Sequence, residues 1–247
     1  MQQYFVSGKA ENRMEILDKD TIKHMFNVMR LAEGDEVVLV FDDGIKRLAK
    51  VADSVAHTFD IVEELADNVE MPVHVTIASG FPKGDKLDLV TQKGTELGAA
   101  GIWAFPADWS VVKWDGKKLT KKEEKLAKIA LGAAEQSKRN RVPQVRLFEK
   151  KSDFLAQLAD FDKIFIAYEE TAKAGELTAL AHELQEVQAG QKILFIFGPE
   201  GGISPKEIEN FESVGGVKVG LGPRIMRTET APLYALSTVS FALEMKR

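Results

Sequence analysis

The sequence predicts an α/β protein in two parts, a small β-barrel over residues 1–70 and a larger α/β unit over 73–247. Three features predict it. Short strand-like runs separated by turn residues crowd residues 36–65. From residue 73 onward, continuous apolar runs alternate with helical stretches, which is the pattern of a parallel sheet covered on both faces. Between the two lies the acidic stretch ELADNVEMP (64–72), which ends with a proline and reads as a linker.

In the first part, residues 18–31 predict a helix with Asp18 or Asp20 as N-cap and Ile22, Met25, Phe26 and Met29 on one face. EVVLVF (36–41), RLAKVA (47–52) and TFDIVEEL (58–65) predict strands, with Asp42-Asp43-Gly44 as the turn between the first two. In the second part, strands are predicted at 73–80, 101–105, 145–149, 163–168, 192–198 and 217–222. Helices are predicted at 85–97, 120–138, 152–159, 175–187, 204–213 and 228–245. In open sheets of this kind, ligands bind beyond the carboxyl ends of the strands.

At 247 residues, 45% hydrophobic and 29% charged, the chain has enough apolar material for packed cores. No apolar run reaches the roughly 18–20 residues needed to span a bilayer, and the start MQQYFVSGKAENR lacks the basic-then-apolar pattern of a secretory signal. With no cysteine, disulfides and Cys-based zinc sites are excluded. His57, His74 and His182 have no ligand spacing and read as structural, so no metal is expected. A cytoplasmic location is expected.

The net charge of −5 is unevenly spread. Residues 1–70 hold 8 Lys/Arg against 15 Asp/Glu, residues 71–151 hold 16 against 9, and residues 152–247 hold 9 against 14. Because local patches set phosphate attraction, the acidic total does not exclude a nucleic-acid partner. On charge alone, a solvated lysine-rich helix is the favoured account of the basic middle.

Two strand-end loops carry the most information. In FGPEGGIS (197–204), Gly198, Gly201 and Gly202 permit close backbone approach, and Pro199 stiffens the turn. Ser204, Pro205 and Glu207 form a capping-box helix start. Such a loop is a ligand cradle, a phosphate nest or a tight βα turn; it has neither a Walker lysine nor GxGxxG spacing. In LGPRIMRTETAPLYAL (221–236), Thr228 or Thr230 can cap the following helix and Pro232 suits its first turn. Arg224 and Arg227 are harder to explain as packing, since the positive end of a helix dipole opposes cations. A third segment, AAEQSKRNRVP (133–143), ends a predicted helix with Lys138, Arg139 and Arg141, where the dipole favours them.

GPEGG followed by LGPRIMRTETA, together with KGDKLDLVTQKGTELGA (83–99), SVVKW (110–114), AAEQSKRNRVP and HMFNVMRLAEGDEV with FDDG (24–44), closely resembles the SPOUT-class methyltransferases that modify N3 of a uridine in 16S ribosomal RNA. The resemblance spans nearly the whole chain. It implies a PUA-like N-terminal β-barrel that binds RNA, and an α/β domain whose C-terminal part threads a deep trefoil knot. It also implies S-adenosyl-L-methionine as cofactor, held near Tyr168, by Gly198, Pro199, Glu200, Gly201 and Gly202, and by Leu221, Gly222, Ile225, Met226 and Thr228.

For catalysis the resemblance points to Arg227, which would steady the uracil anion or orient the base, with Glu200 or Glu229 as proton acceptor. For RNA contact it points to His24, Asn27 and Arg30 on the first helix, and to Gln136, Arg139 and Arg141. Where the family carries basic residues at its extreme N-terminus, this chain has Gln2 and Gln3. The expected partners are 16S ribosomal RNA within the small subunit and a second copy of the chain. The copies would pair through the last helix, whose Leu233, Leu236, Val239, Phe241 and Leu243 exceed one apolar face. The rival reading is a non-catalytic RNA-binding assembly factor. A further rival is a nucleotide-binding α/β enzyme.

Overall fold

The predicted N-terminal strands build a five-stranded sheet, with burial alternating most clearly over residues 47–53. In the computed structural model, which describes residues 1–168 and 179–245, its strands are β1 (Gln3–Phe5), β2 (Arg13–Glu15), β3 (Glu36–Val40), β4 (Lys46–Asp53) and β5 (Thr58–Leu65), in the order β1-β3-β4-β5-β2. β1 runs parallel to β3 and the other pairs are antiparallel. The three predicted strands are present; β1 and β2, three residues each, are too short to show a period. Tyr4, Leu39, Val51 and Phe59 pack with Met25 of the helix in this unit's core.

That helix departs from expectation. Asp18 accepts from the Thr21 amide at 2.7 Å and starts α1 (Lys19–Ile22). The backbone then widens into a π-helical stretch, Lys23–Val28, with the Met29 amide on the His24 carbonyl at 2.9 Å. Bonding five residues back winds this stretch more widely than the α-helix expected over residues 18–31. Arg30 lies beyond the helix with φ of 57°. His24, Asn27 and Arg30 are exposed, and His24 Nδ1 sits 3.1 Å from the Tyr4 hydroxyl.

The chain divides into two compact units, but not at a single point. The first comprises Met1–Glu70 and Ala134–Arg141; the second comprises Met71–Ala133 and Val142–Arg247. The returning segment is tied in by buried polar contacts. Gln3 Nε2 donates to the Arg139 carbonyl at 2.7 Å, and Asn140 Nδ2 donates to the Gly44 carbonyl at 2.9 Å. The Arg139 guanidinium grips Glu70, and the same carboxylate accepts from the Asn140 amide at 2.8 Å and the Arg141 amide at 3.2 Å. Burial works to raise the Glu70 carboxyl; the Arg139 guanidinium and these amides outweigh it and hold it below the ordinary carboxylate value. Arg139 is only 3% exposed. The expectation of a phosphate contact there gives way to an internal ion pair, whereas Gln136 and Arg141 are exposed.

The second unit has a six-stranded, all-parallel sheet: β6 (His74–Gly80), β7 (Gly101–Phe105), β8 (Gln144–Leu147), β9 (Lys163–Ala167), β10 (Lys192–Phe197) and β11 (Gly216–Val219). Their order is β11-β9-β10-β6-β7-β8. Successive residues face opposite sides, so the four central strands, β9, β10, β6 and β7, feed two cores. Val75, Ile77, Phe165 and Phe195 pack under α2 (Lys86–Glu96), α3 (Gly116–Gln136), α5 (Ala179–Gln185) and α7 (Ala231–Ser240). Ala78, Ile164, Ile166 and Ile196 pack under α4 (Lys151–Leu155) and α6 (Pro205–Glu212).

The predicted helices are in place, α3 starting four residues early. Of the helix predicted at 175–187, residues 175–178 lie outside the described residues. A π-helical stretch, Phe241–Met245, extends α7. Among the described residues, no helix is long and apolar enough to cross a membrane, and no group of three His, Asp or Glu side chains could hold a metal.

The Glu70–Arg139 pair yields a test. Arg139→Ala strips a mostly buried carboxylate of its cation and is expected to cost about 3–5 kcal/mol of stability. Arg141→Ala, at an exposed position, stays within about 0.5 kcal/mol. Urea midpoints of the two variants check the contrast.

Candidate active site

Three strands that are neighbours in the sheet, β11, β9 and β10, end side by side, and their loops enclose a cleft of about 790 Å³. Its walls include Ala167 and Tyr168 after β9, Phe197 to Ile203 after β10, and Leu221, Gly222 and Arg224 to Thr228 after β11. Every residue singled out in the sequence for cofactor contact lines this one cavity.

The loop after β10 is wound too tightly for side chains. A Cβ on Gly198 would lie 2.5 Å from the Gly202 carbonyl carbon, and one on Gly80 would lie 2.5 Å from Pro199 Cδ. Gly202 has φ of +84°, and its amide closes a turn onto the Pro199 carbonyl at 2.9 Å. These are close approaches that only glycine permits. The loop is then clamped by the start of α6: Ser204 accepts from the Glu207 amide, and Glu207 accepts in return from the Ser204 amide, each at 3.1 Å. Glu207, 1% exposed, also takes Lys151 Nζ at 2.6 Å and the Asp108 amide at 2.9 Å. The predicted capping box thus anchors the neighbouring 106–109 loop as well.

The second loop enters α7 differently from the expectation that a threonine caps it. Thr230 is the N-cap residue, but its side chain makes no capping bond. The Arg227 carbonyl instead accepts from the Thr230 amide at 2.8 Å and the Ala231 amide at 3.0 Å. Arg224 and Arg227 are both exposed at the mouth of the cleft, and neither forms an ion pair among the described residues.

Glu200 and Glu229 converge on one cation. Lys86 Nζ lies 2.8 Å from Glu200 Oε1 and 3.4 Å from Glu229 Oε2, and Glu200 Oε1 also accepts from the Lys83 amide at 3.1 Å. Lys86 therefore ties both cleft loops to the first turn of α2. The hydrogen bond to Glu200 raises the Lys86 ammonium above its ordinary value. Burial works to raise Glu200, but Lys86 and the backbone donors prevail and lower it. The two carboxylates differ in accessibility: Glu229 Oε2 is buried without a hydrogen bond, whereas Glu200 is on the exposed loop.

Two lining residues, Lys86 and Trp109, were not anticipated. The signal for Lys86 was present: a lysine at the first position of a helix opposes the dipole, the same argument that marked Arg224 and Arg227. Trp109 had no such signal, because only the fold brings the loop after β7 beside Gly201.

Residues 69–240 match the RNA methyltransferase domain family, and residues 17–64 match the RNA methyltransferase PUA domain. This is an RNA methyltransferase fold with a PUA unit. The chain is 43% identical to ribosomal RNA small subunit methyltransferase E of Bacillus subtilis, over all of this chain and 99% of the relative. It is 30% identical to the Mycobacterium bovis protein of the same name, over 91% and 85% of the two chains. A crystal structure of ribosomal RNA small subunit methyltransferase E from Neisseria gonorrhoeae bound to S-adenosyl methionine matches at 25% identity and a TM-score of 0.79, over 97% of each chain. The chain belongs to the ribosomal RNA small subunit methyltransferase E family.

Lys86→Met removes the cation shared by two carboxylates. Amide exchange in 198–202 is expected to quicken and stability to fall by about 1–3 kcal/mol, with Lys86→Arg recovering most of both. In the wild type the contribution of the tie is present at neutral pH. It is lost as pH falls through the depressed Glu200 value, below the ordinary carboxylate range, and as pH rises through the raised Lys86 value. Hydrogen exchange across that range checks both limbs.

Proposed function

We propose that this protein transfers a methyl group from S-adenosyl-L-methionine to N3 of a uridine in 16S ribosomal RNA, acting on the small ribosomal subunit. The observation that carries this reading is the cleft itself: glycine loops and apolar strand ends line it, with two arginines at its mouth that form no ion pair among the described residues. The group fits the residues present. A neutral adenine edge needs amide donors and carbonyl acceptors in an apolar pocket, and the Gly198–Gly202 and Leu221–Gly222 stretches expose such groups. Tyr168, Ile225, Met226 and Thr228 complete the walls.

The cofactor, when bound, supplies a methyl already activated by its sulfonium. The protein's own residues then align the base and meet its charge. Uridine N3 is a weak acid, so its proton must leave and the negative charge spread over the ring must be stabilised. Arg227 serves that charge from the mouth of the cleft. Glu200, anchored through Oε1, offers its other carboxylate oxygen to the N3 proton, and its depressed value keeps it ionised at neutral pH. Glu229, with its buried oxygen beside Lys86, holds the loop instead. The nucleotide leaves its stack to enter the cleft. No metal takes part in this scheme.

In the same reading, the exposed His24, Asn27, Arg30, Gln136 and Arg141 contact RNA. The C-terminal segment threads a trefoil knot, consistent with β10 lying between β9 and β6 while the last two loops wall one cleft. The chain pairs with a second copy through α7 and its extension. Ala235, Leu236 and Val239 are spent on this chain's own core, while Tyr234, Phe241 and Met245 remain exposed.

Methylation of unmodified small subunits by the purified protein, with the product nucleoside identified by mass spectrometry, tests the reaction. N3-methyluridine is expected; methyl on another atom or no transfer contradicts the proposal. Arg227→Ala is expected to lower kcat by about 10²–10³-fold, and Glu200→Gln by about 10²-fold or more. Cofactor affinity measured by calorimetry stays close to wild type for Arg227→Ala.

A further inference from the structure

Trp109 is the one large aromatic on the rim of the cleft that the proposed chemistry does not use. It is 47% exposed, whereas the other two tryptophans, Trp103 and Trp114, are 6% and 9% exposed. Its ring has no aromatic or cation partner among the described residues, in contrast to Trp103, packed against Phe148, Phe161 and Arg146, and Trp114, packed against Phe81 and Lys122. Leaving half of a tryptophan in water forfeits apolar burial, so a free ring at a binding site calls for an occupant.

The ring is also held in place. Its Cβ would lie 3.0 Å from a Cβ on Gly201, and its benzo edge, Cζ3 and Cε3, would lie 3.8 and 3.9 Å from one on Gly202. The absence of a side chain at Gly201 therefore makes the seat, with Gly202 against the benzo edge. The preceding Asp108 anchors the loop: its amide donates to Glu207, its carboxylate takes Lys151 and Ser204 Oγ, and those contacts hold it below the ordinary carboxylate value.

We propose that Trp109 is the stacking platform for an RNA base at the mouth of the cleft, a positioning residue that selects an unstacked nucleobase and presents it to the interior. This inference rests on the reading that the cleft methylates RNA. An aromatic face takes any nucleobase, because every base has a π-face. Arg224 and Arg227, on the same rim, supply the charge for the phosphates or the base edge. The interior beyond the rim, with Phe197, Val219 and Ala167, leaves the backbone-lined part of the cleft to the cofactor.

Two measurements on the full-length protein test this. In steady-state kinetics with unmethylated small subunits, Trp109→Leu is expected to raise the RNA KM about tenfold or more, the loss typical of one base–aromatic stack. Trp109→Phe stays close to wild type, and the KM for S-adenosylmethionine stays unchanged in both. In fluorescence, a single-stranded oligouridylate quenches wild-type emission, its abasic counterpart does not, and Trp109→Leu keeps only the buried, unquenched signal of Trp103 and Trp114. That signal also reports that the variant is folded. An unchanged RNA KM in Trp109→Leu overturns the proposal. So does a selective rise in the S-adenosylmethionine KM, or quenching by S-adenosylhomocysteine alone, either of which would make the ring a cofactor wall. Quenching by oligouridylate without any methyl transfer would leave the stacking role standing and remove the methylation reading instead.

Discussion

A parallel sheet covered on both faces has nowhere to put chemistry except its ends. In the larger unit the central strands send alternate residues into two separate cores, and the backbone between them is taken up by neighbouring strands. What remains available lies past the last residue of each strand. Because β11, β9 and β10 are adjacent, loops that are far apart in sequence emerge together. The loop after β10 is packed closely on itself, Gly198 against Gly202, and on the end of β6, Pro199 against Gly80. Lys86 then serves two loops with a single ammonium.

Charge behaves in this protein as a local quantity. The first 70 residues carry a large acidic excess, and several of their carboxylates neutralise cations inside the fold. Asp43 and Glu64 hold Arg47, Asp67 holds Lys46, and Glu70 holds Arg139, all three cations being nearly buried. Counting arginines along AAEQSKRNRVP therefore overstates the positive surface, since Arg139 is neutralised inside the fold while Arg141 stays in solvent.

Much of the architecture was legible because it rests on local pattern. Continuous apolar runs identified the four central strands of the parallel sheet, and the Ser204-Pro205-Glu207 box marked the start of α6 to the residue. The cleft residues were legible because glycines and dipole-opposed arginines stand out in strand-end loops. What stayed hidden depends on partners distant in sequence. The π-helical widening at Lys23–Val28 leaves no mark in the apolar spacing. The pairing of Arg139 with Glu70 spans 69 residues. The Lys86 tie joins Lys86 to Glu200 across 114 residues, and no period or motif encodes it.

The segment Ala134–Arg141 gives the first unit an unusual relation to protein synthesis. When residue 70 has been made, the carboxylate of Glu70 still lacks Arg139, and the Gly44 carbonyl still lacks Asn140. A domain ending at residue 70 would otherwise be complete as soon as it cleared the ribosome. Here the chain must grow through the first two strands of the parallel sheet and the whole of α3 before the missing piece exists. At roughly 5–20 residues per second that is a delay of several seconds. During this interval the nascent N-terminal sheet waits with an incomplete polar interior, so the two units mature together rather than one after the other. Residues 1–70 alone are accordingly a poor choice of fragment for expression.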